Sequence, residues 1–521
     1  MSSSVLCAHF DTPEGRWTLV SEFTTEDAAN QFVPHIGPKL GGDDLSMGAS
    51  VEPRPPTPPT ASSAKFNAPS TLMVSGGLMF GDSVPNAGGV KAPHALANRP
   101  THVMMFQASE PVPQNEPIEN SVSKSKPHGK GLVTKSTSSF VTRIVTNENL
   151  ARWIIDPRTT YILFNAPKCF NVVGMQPDNR GETLARLDMT LASPTCYDVI
   201  GGSSRFDVVL GFVRGNIVWY EPVSGKYSRL NKNSGYAPAV VCVKWMPNSD
   251  SLFMVGMADG AVMVMDRTKD EFVVPQMTHA RTAFAPAETR PKTNPVSYWR
   301  VSNKPITSIE FSPDSQYVAI TSEDGTLRII DHQKESLCDV YESYFGGLTC
   351  CAWSNDQKYV VTGGKDDLIT VWSYYDKCVV ARGQGHKSWV RGVAFDNVQC
   401  GATYRFFSVG DDAQLLVWDL SLAALHRPRT HTARVAASPT SRARASLENV
   451  TAMSRGDEPQ GTVHARMPKD SVAVLQPLVS EAIHDTPLCS LSITRDLLVT
   501  ACRKGVVKVW KRPKPDSYAP A

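Results

Sequence analysis

The chain has 521 residues, 41% of them hydrophobic and 20% charged, with a formal net charge of +3. That charge is too small to make nucleic acid the main partner, and 38 prolines with 35 glycines exceed what a compact helical protein needs, so many turns or long loops are expected. The 11 cysteines are odd in number, scattered and without a C-x-x-C pair, which argues against a disulfide framework and against a zinc site.

The opening stretch, MSSSVLCAHFDTPEGR, has no basic region followed by an apolar run, so no secretory leader is expected. No stretch of 18 apolar residues occurs, so no membrane partner or membrane span is expected either. The expected location is cytoplasmic and/or nuclear. Residues 1–134 are expected to be largely disordered, because Pro, Gly, Ser and Asn dominate and little apolar surface is available to offset the ordering entropy. One exception is EGRWTLVSEF at 14–23, whose alternation predicts a strand. Further on, VEPRPPTPPT holds overlapping P-x-x-P spacings through Pro53, Pro55, Pro56, Pro58 and Pro59. Those prolines suit a polyproline groove, and equally a stiff solvated linker.

Between 135 and 193 the segments SSFVTRIV, RWIID, TYILFN and FNVVGM are strand-like without a clear repeat. From 194 one pattern returns: an apolar strand, a turn, a second strand with small residues, a tight turn, and a third strand ending on an apolar anchor. The anchors are Trp219, Met265, Ile330, Trp372, Trp418 and Trp510. Three of the five intervals between them are 42–46 residues, which is the WD-repeat period of roughly 40–45. An insert at 270–303 lengthens one of the others. The last is lengthened by a polar, Arg/Ser-rich insert at 424–485, expected to be disordered. The tight turns read MADGA, SEDGT, GKDDL and GDDAQ, rich in turn-forming Asp and Gly. Six repeats are clear and 135–193 supplies a divergent seventh. The expected fold is all-β, a seven-bladed WD-repeat β-propeller with blades over 135–423, a last repeat at 486–513 and a tail at 514–521.

The stretch VVTGGKDDLITVWS (360–373) poses the chemical question. It is not a phosphate-binding loop, because Gly364 and Lys365 are followed by Asp366, and Tyr359 stands where the first glycine would be. Nor does it offer a carboxylate pair, since adjacent Asp366 and Asp367 on an extended strand point to opposite sides. An aspartate recurs six residues before the anchor at Asp259, Asp324, Asp366 and Asp412. That recurrence reads as architecture. In WD repeats such an aspartate joins a buried relay with a strand Ser/Thr, a Trp indole and an upstream His, because buried polar groups must be paired. The relay is expected complete as His386, Ser408, Asp412 and Trp418, and partial as Thr362, Asp366 and Trp372. The last repeat carries Lys504 where the aspartate belongs. No catalytic constellation, metal site or cofactor site is expected: G-x-S-x-G does not occur, and Cys350 and Cys351 read as packed thiols.

The run SYFGGLTCCAWSNDQKYVVTGGKDDLITVWSYYDKCVVARGQGHKSWVRGVAFD (343–396) is more specific than a generic repeat. With NPVSYWRVSNKPITSIEFSPDSQYVAITSEDGTLRIID (294–331), PTCYDVI (194–200) and CRKGVVKVWKRP (502–513), it resembles the WD-repeat cofactors of ubiquitin-specific proteases that serve fungal carbon catabolite repression. The resemblance implies a non-catalytic scaffold whose partner is a deubiquitinating enzyme of the ubiquitin-specific protease class, CreB-like, which it would stabilise. Tyr344, Phe345, and Lys387 to Trp389 are the candidates for partner contact. The alternative is a substrate receptor of a cullin-type ubiquitin ligase. Those receptors use W-D-x-[RK], whereas VWDLSL carries Trp418 and Asp419 with no basic residue following.

Overall fold

A computed structural model describes residues 8–24, 103–107, 132–135, and most of 140–425 and 461–513. The proline-rich candidates Pro53, Pro55, Pro56, Pro58 and Pro59, and the arginine-rich part of the 424–485 insert, lie outside the described residues.

The described strands form seven sheets, antiparallel but for one added outer strand in each of two, arranged as the blades of a propeller. Each blade follows from the repeat. Its second strand is buried on both faces by neighbouring blades and is therefore a continuous apolar or small-residue run, as in Tyr359–Gly364 and in residues 406–410 of Tyr404–Gly410. The tight turn that follows places Gly260, Gly325, Asp367, Ala413 or Gly505 in the left-handed region, at φ of 89°, 84°, 63°, 61° and 77°. Recurring Asp-Gly and Asp-Asp pairs are the chemistry such a turn selects.

Blade one runs outward from Val103–Gln107 through Thr160–Ala166, Cys169–Gly174, Thr183–Met189 and Val141–Thr146 to Leu132–Lys135. Blades two to six begin at the inner strands Pro194–Gly202, Val240–Trp245, Ile306–Phe311, Leu348–Trp353 and Val390–Phe395. Blade seven runs from Leu488–Ile493 through Leu497–Cys502 and Val506–Lys511 to Gly15–Thr24 and His9–Thr12. Successive inner strands touch one another around the ring. Apolar clusters fill the spaces between blades; one of them holds Val361, Ile369, Phe406 and Trp418 together.

Three arrangements go beyond the repeat pattern. The strand expected at 14–23 forms, and it pairs with Val506–Lys511 in the register Leu19↔Trp510 and Phe23↔Val507, so both chain ends build one blade. Blade one takes its inner strand from Val103–Gln107, well upstream of 135, which pairs with Thr160–Ala166; VMMFQ carries no repeat signature. Within 135–193, the start of RWIID is not strand: Leu150–Ile154 is a one-turn helix that buries Leu150 and Ile154, four apart on one face.

The stretch expected as insert up to 485 also re-enters the propeller. Thr462–His464 adds in parallel to the outer strand Ser336–Glu342 of blade four. Ala473–Leu475 adds in parallel to the outer strand Cys378–Gln384 of blade five. Val479–Ala482 then completes blade six against Gln414–Leu420.

Candidate functional site: an aromatic face on the ring

In each blade the loop entering the first strand and the turn between the second and third strands lie at the same end of the ring, because those strands are antiparallel neighbours. The recurring aspartate in the turn is therefore next to the entering loop. Blade six shows the full relay. Trp418 Nε1 donates to Ser408 Oγ at 2.8 Å, Ser408 Oγ lies 2.7 Å from His386 Nε2, and His386 Nδ1 lies 3.0 Å from Asp412 Oδ2. Asp412 also accepts the Lys387 backbone N–H at 2.9 Å. Burial pushes the Asp412 carboxyl up, but His386 and the Lys387 N–H outweigh it and hold the carboxyl below its ordinary value.

Blade five is built differently from the expectation. Trp372 Nε1 donates to Thr362 Oγ1 at 2.9 Å. Asp366 instead accepts the backbone N–H of Leu368, at 3.3 Å, and of Phe345. The loop entering this blade has no histidine to reach the Thr362–Trp372 pair, and the aspartate holds that loop directly through the Phe345 N–H. Burial raises its carboxyl above the usual range.

Two relays escape the pattern. In blade seven His484 Nε2 lies 3.0 Å from Thr500 Oγ1, which accepts Trp510 Nε1 at 3.1 Å. His484 lacks the preceding glycine that marks His386, yet it stands four residues before its blade's first strand, as His386 does. In blade four a serine replaces the imidazole: Ser322 Oγ donates to Ser302 Oγ at 2.9 Å, and Ser302 Oγ donates to Asp324 at 2.8 Å.

These frames carry the exposed aromatics. Phe345, 69% exposed, tops the loop entering blade five, and Trp389, 41% exposed, tops the loop entering blade six. Trp389 is held between two cations, with Lys365 Nζ 4.9 Å and the Arg391 guanidinium 5.1 Å from its ring centroid. Each cation is itself anchored, Lys365 by Glu323 at 2.9 Å and Arg391 by Asp411 at 2.6 Å. Arg503 from blade seven joins Asp411 at 2.8 Å. The Phe345 loop is tied down by Ser343 N–H to Gly325 O at 2.8 Å and Lys365 N–H to Gly347 O at 2.9 Å. A Cβ on Gly325 would sit 2.5 Å from Gly346 O, so the turn of blade four and this loop meet with no room for a side chain.

Of the candidate contact positions, Phe345 and the turn carrying Lys387 and Trp389 are thus on this face. Tyr344 is half-buried, its ring 4.8 Å beneath the Arg382 guanidinium. The clamp residues Lys365, Arg391 and Asp411 were not legible as a group, because they and their partners Glu323 and Arg503 come from four separate blades. Among the described residues no group of three His, Cys, Asp or Glu side chains is placed to hold a metal.

The model of the WD domain, G-beta repeat, matches residues 294–331 and 336–373, which run from the outer strand Ser297–Arg300 of blade three through the third strand of blade four, and from the outer strand of blade four through the third strand of blade five. The UBP9-binding protein bun62 of Schizosaccharomyces pombe is 33% identical over 411 residues, covering 73% of this chain and 76% of its own length. Among solved structures, a chain of the mitotic checkpoint complex aligns with a TM-score of 0.46 at 13% identity, over 68% of this chain and 88% of its own. The computationally designed Ika8 protein aligns with a TM-score of 0.42 at 16% identity, over 73% and 95%. Neither likeness adds to the assignment. With WD repeats matched by sequence, seven blades in the structure and a relative of this extent, the chain belongs to the WD-repeat family of the UBP9-binding protein bun62.

Proposed function

We propose that this protein is a non-catalytic partner of a ubiquitin-specific protease and that it engages the protease through the Phe345–Trp389 face. The observation that carries the reading is the preorganised Trp389, exposed yet fixed between Lys365 and Arg391, beside the exposed Phe345. Interface energy concentrates in a few aromatic and arginine anchors, and anchors that are already ordered lose little entropy on binding. The name of the bun62 relative supplies the class of partner. In the finer reading the role is that of the carbon catabolite repression protein CreC: a cytoplasmic and/or nuclear scaffold that stabilises a CreB-like protease and so sets carbon-source utilisation.

The site's polar groups support a scaffold. His386, Ser408 and Asp412 bond to one another and to the frame, so Ser408 serves the relay and is not presented at the surface as an activated nucleophile. The cullin-receptor reading gains nothing from Asp419, whose carboxylate is held by Arg405 through two bonds of 2.7 Å. Co-purification with the protease, followed by ubiquitin-chain cleavage assays with and without this protein, tests the proposal. A stable complex and a changed protease level or activity are expected; recovery of a cullin adaptor in place of the protease would replace the reading.

A further inference from the structure

We propose that the returning segment around Met467 and Pro468 is a strap that positions the Phe345 loop through Arg382, so that Arg382 is a positioning residue for partner docking. This rests on the docking reading above. The strap is pinned on both sides of those two residues. Upstream, Thr462–His464 pairs with Ser336–Glu342, and His464 Nε2 lies 2.8 Å from Asp339 Oδ1 while its ring stacks on Tyr341 at 4.5 Å. Downstream, Val472 is buried in the apolar cluster with Trp372 and Tyr341, and Ala473–Leu475 pairs with Cys378–Gln384.

Between the pins, Arg382 donates to Met467 O at 2.8 Å and to Pro468 O at 3.4 Å. Arg382 is only 3% exposed, so these carbonyls stand where water would otherwise solvate the guanidinium. The same guanidinium lies 4.8 Å over the Tyr344 ring and feels the charge of Asp366. Tyr344 precedes Phe345, and Asp366 accepts the Phe345 N–H. One buried cation thus bonds the strap on one side and, on the other, covers Tyr344 and acts through charge on Asp366, which holds the Phe345 N–H. With the strap lifted, two of its donors lose their partners, the guanidinium turns toward water, and Tyr344 loses its cover. The Trp389 loop has its own frame in His386 and Asp412 and should not respond.

Amide hydrogen exchange on the full-length protein, without any protease, tests this first. Two variants are compared with the parent: His464→Ala/Val472→Asp, which unpins the strap, and Arg382→Gln, which keeps it pinned. Both should raise exchange at residues 343–347 at least tenfold and leave residues 386–389 protected, and both should weaken protease binding about tenfold. Unchanged protection at 343–347 in the unpinned variant would overturn the strap's role whatever the protease does. Lost protection with undiminished affinity would overturn the link to docking. Failure of the parent protein to bind the protease sinks the functional reading, and the exchange result then still decides the positioning claim.

Discussion

Ser408 sits at the centre of the blade-six relay, accepting from Trp418 and facing His386, with no exposure to solvent. Removing its hydroxyl leaves a buried indole N–H and an imidazole nitrogen without partners, and each such loss costs roughly 1–3 kcal/mol. Ser408→Ala is therefore expected to lower unfolding free energy by about 2–3 kcal/mol in denaturant titration, with Ser408→Thr recovering most of it. The Ser/Thr and Trp of this relay were legible because they stand ten apart in blades five, six and seven, a distance set by the hairpin register. Asp366 was legible as a turn residue but not in its bonding, since only the absent histidine explains why it holds Phe345. His484 shows the converse: its role depends on the fold, and burial with the neighbouring Lys508 pushes its imidazolium from 6.5 down to about 3. The unfolded chain therefore takes up a proton below pH 6.5 that the folded chain refuses. Stability from this group is full above pH 6.5 and is lost as pH falls toward 3, by at most about 1.4 kcal/mol per pH unit. His484→Gln should flatten the fall of thermal midpoint between pH 7 and 4.5; an unchanged slope would show that His484 does not titrate this way.

At the scale of elements, the ring is closed by its N-terminal strand. Trp17 is fully buried, stacked on Phe10 at 5.8 Å and edge-on to Phe407 of blade six at 5.9 Å. Arg512 lies over Trp17 at 4.8 Å and bonds Asp396 at 2.7 Å, while Arg405 binds Glu14. Deleting residues 1–24 removes the outer strands of blade seven and exposes Trp510 and the edge of Val506–Lys511. The truncated chain is expected to melt at least 10 °C lower, or to aggregate through that edge, by calorimetry and size-exclusion chromatography. The alternation in EGRWTLVSEF revealed this strand, but nothing local revealed its partner some 490 residues away, because pairing at that distance is a property of the closed ring. The same holds for Val103–Gln107 and for the strands that return from the insert: each is three to five residues long, too short for periodicity to register.

For the whole molecule, the repeat period gave six blades and the strand-like stretch 135–193 the seventh, and the blades in turn explain why the contact face could be found only piecemeal. Phe345 and Trp389 are 44 residues apart in sequence and become neighbours in kind because each tops the loop entering successive blades. The cations that fix Trp389 come from the turn of blade five and the first strand of blade six, and their counter-charges from blades four and six. An extended ring of rigid turns suits partner recognition, since loops on a fixed scaffold present side chains without reorganisation. Calorimetric titration of a ubiquitin-specific protease partner with the parent protein and with Phe345→Ala and Trp389→Ala, each checked for an unchanged melting temperature, tests this account most directly. Each substitution should cost about 2 kcal/mol or more, some 30-fold in affinity, without loss of fold. Full affinity in both variants would contradict it and move the docking surface elsewhere on the ring.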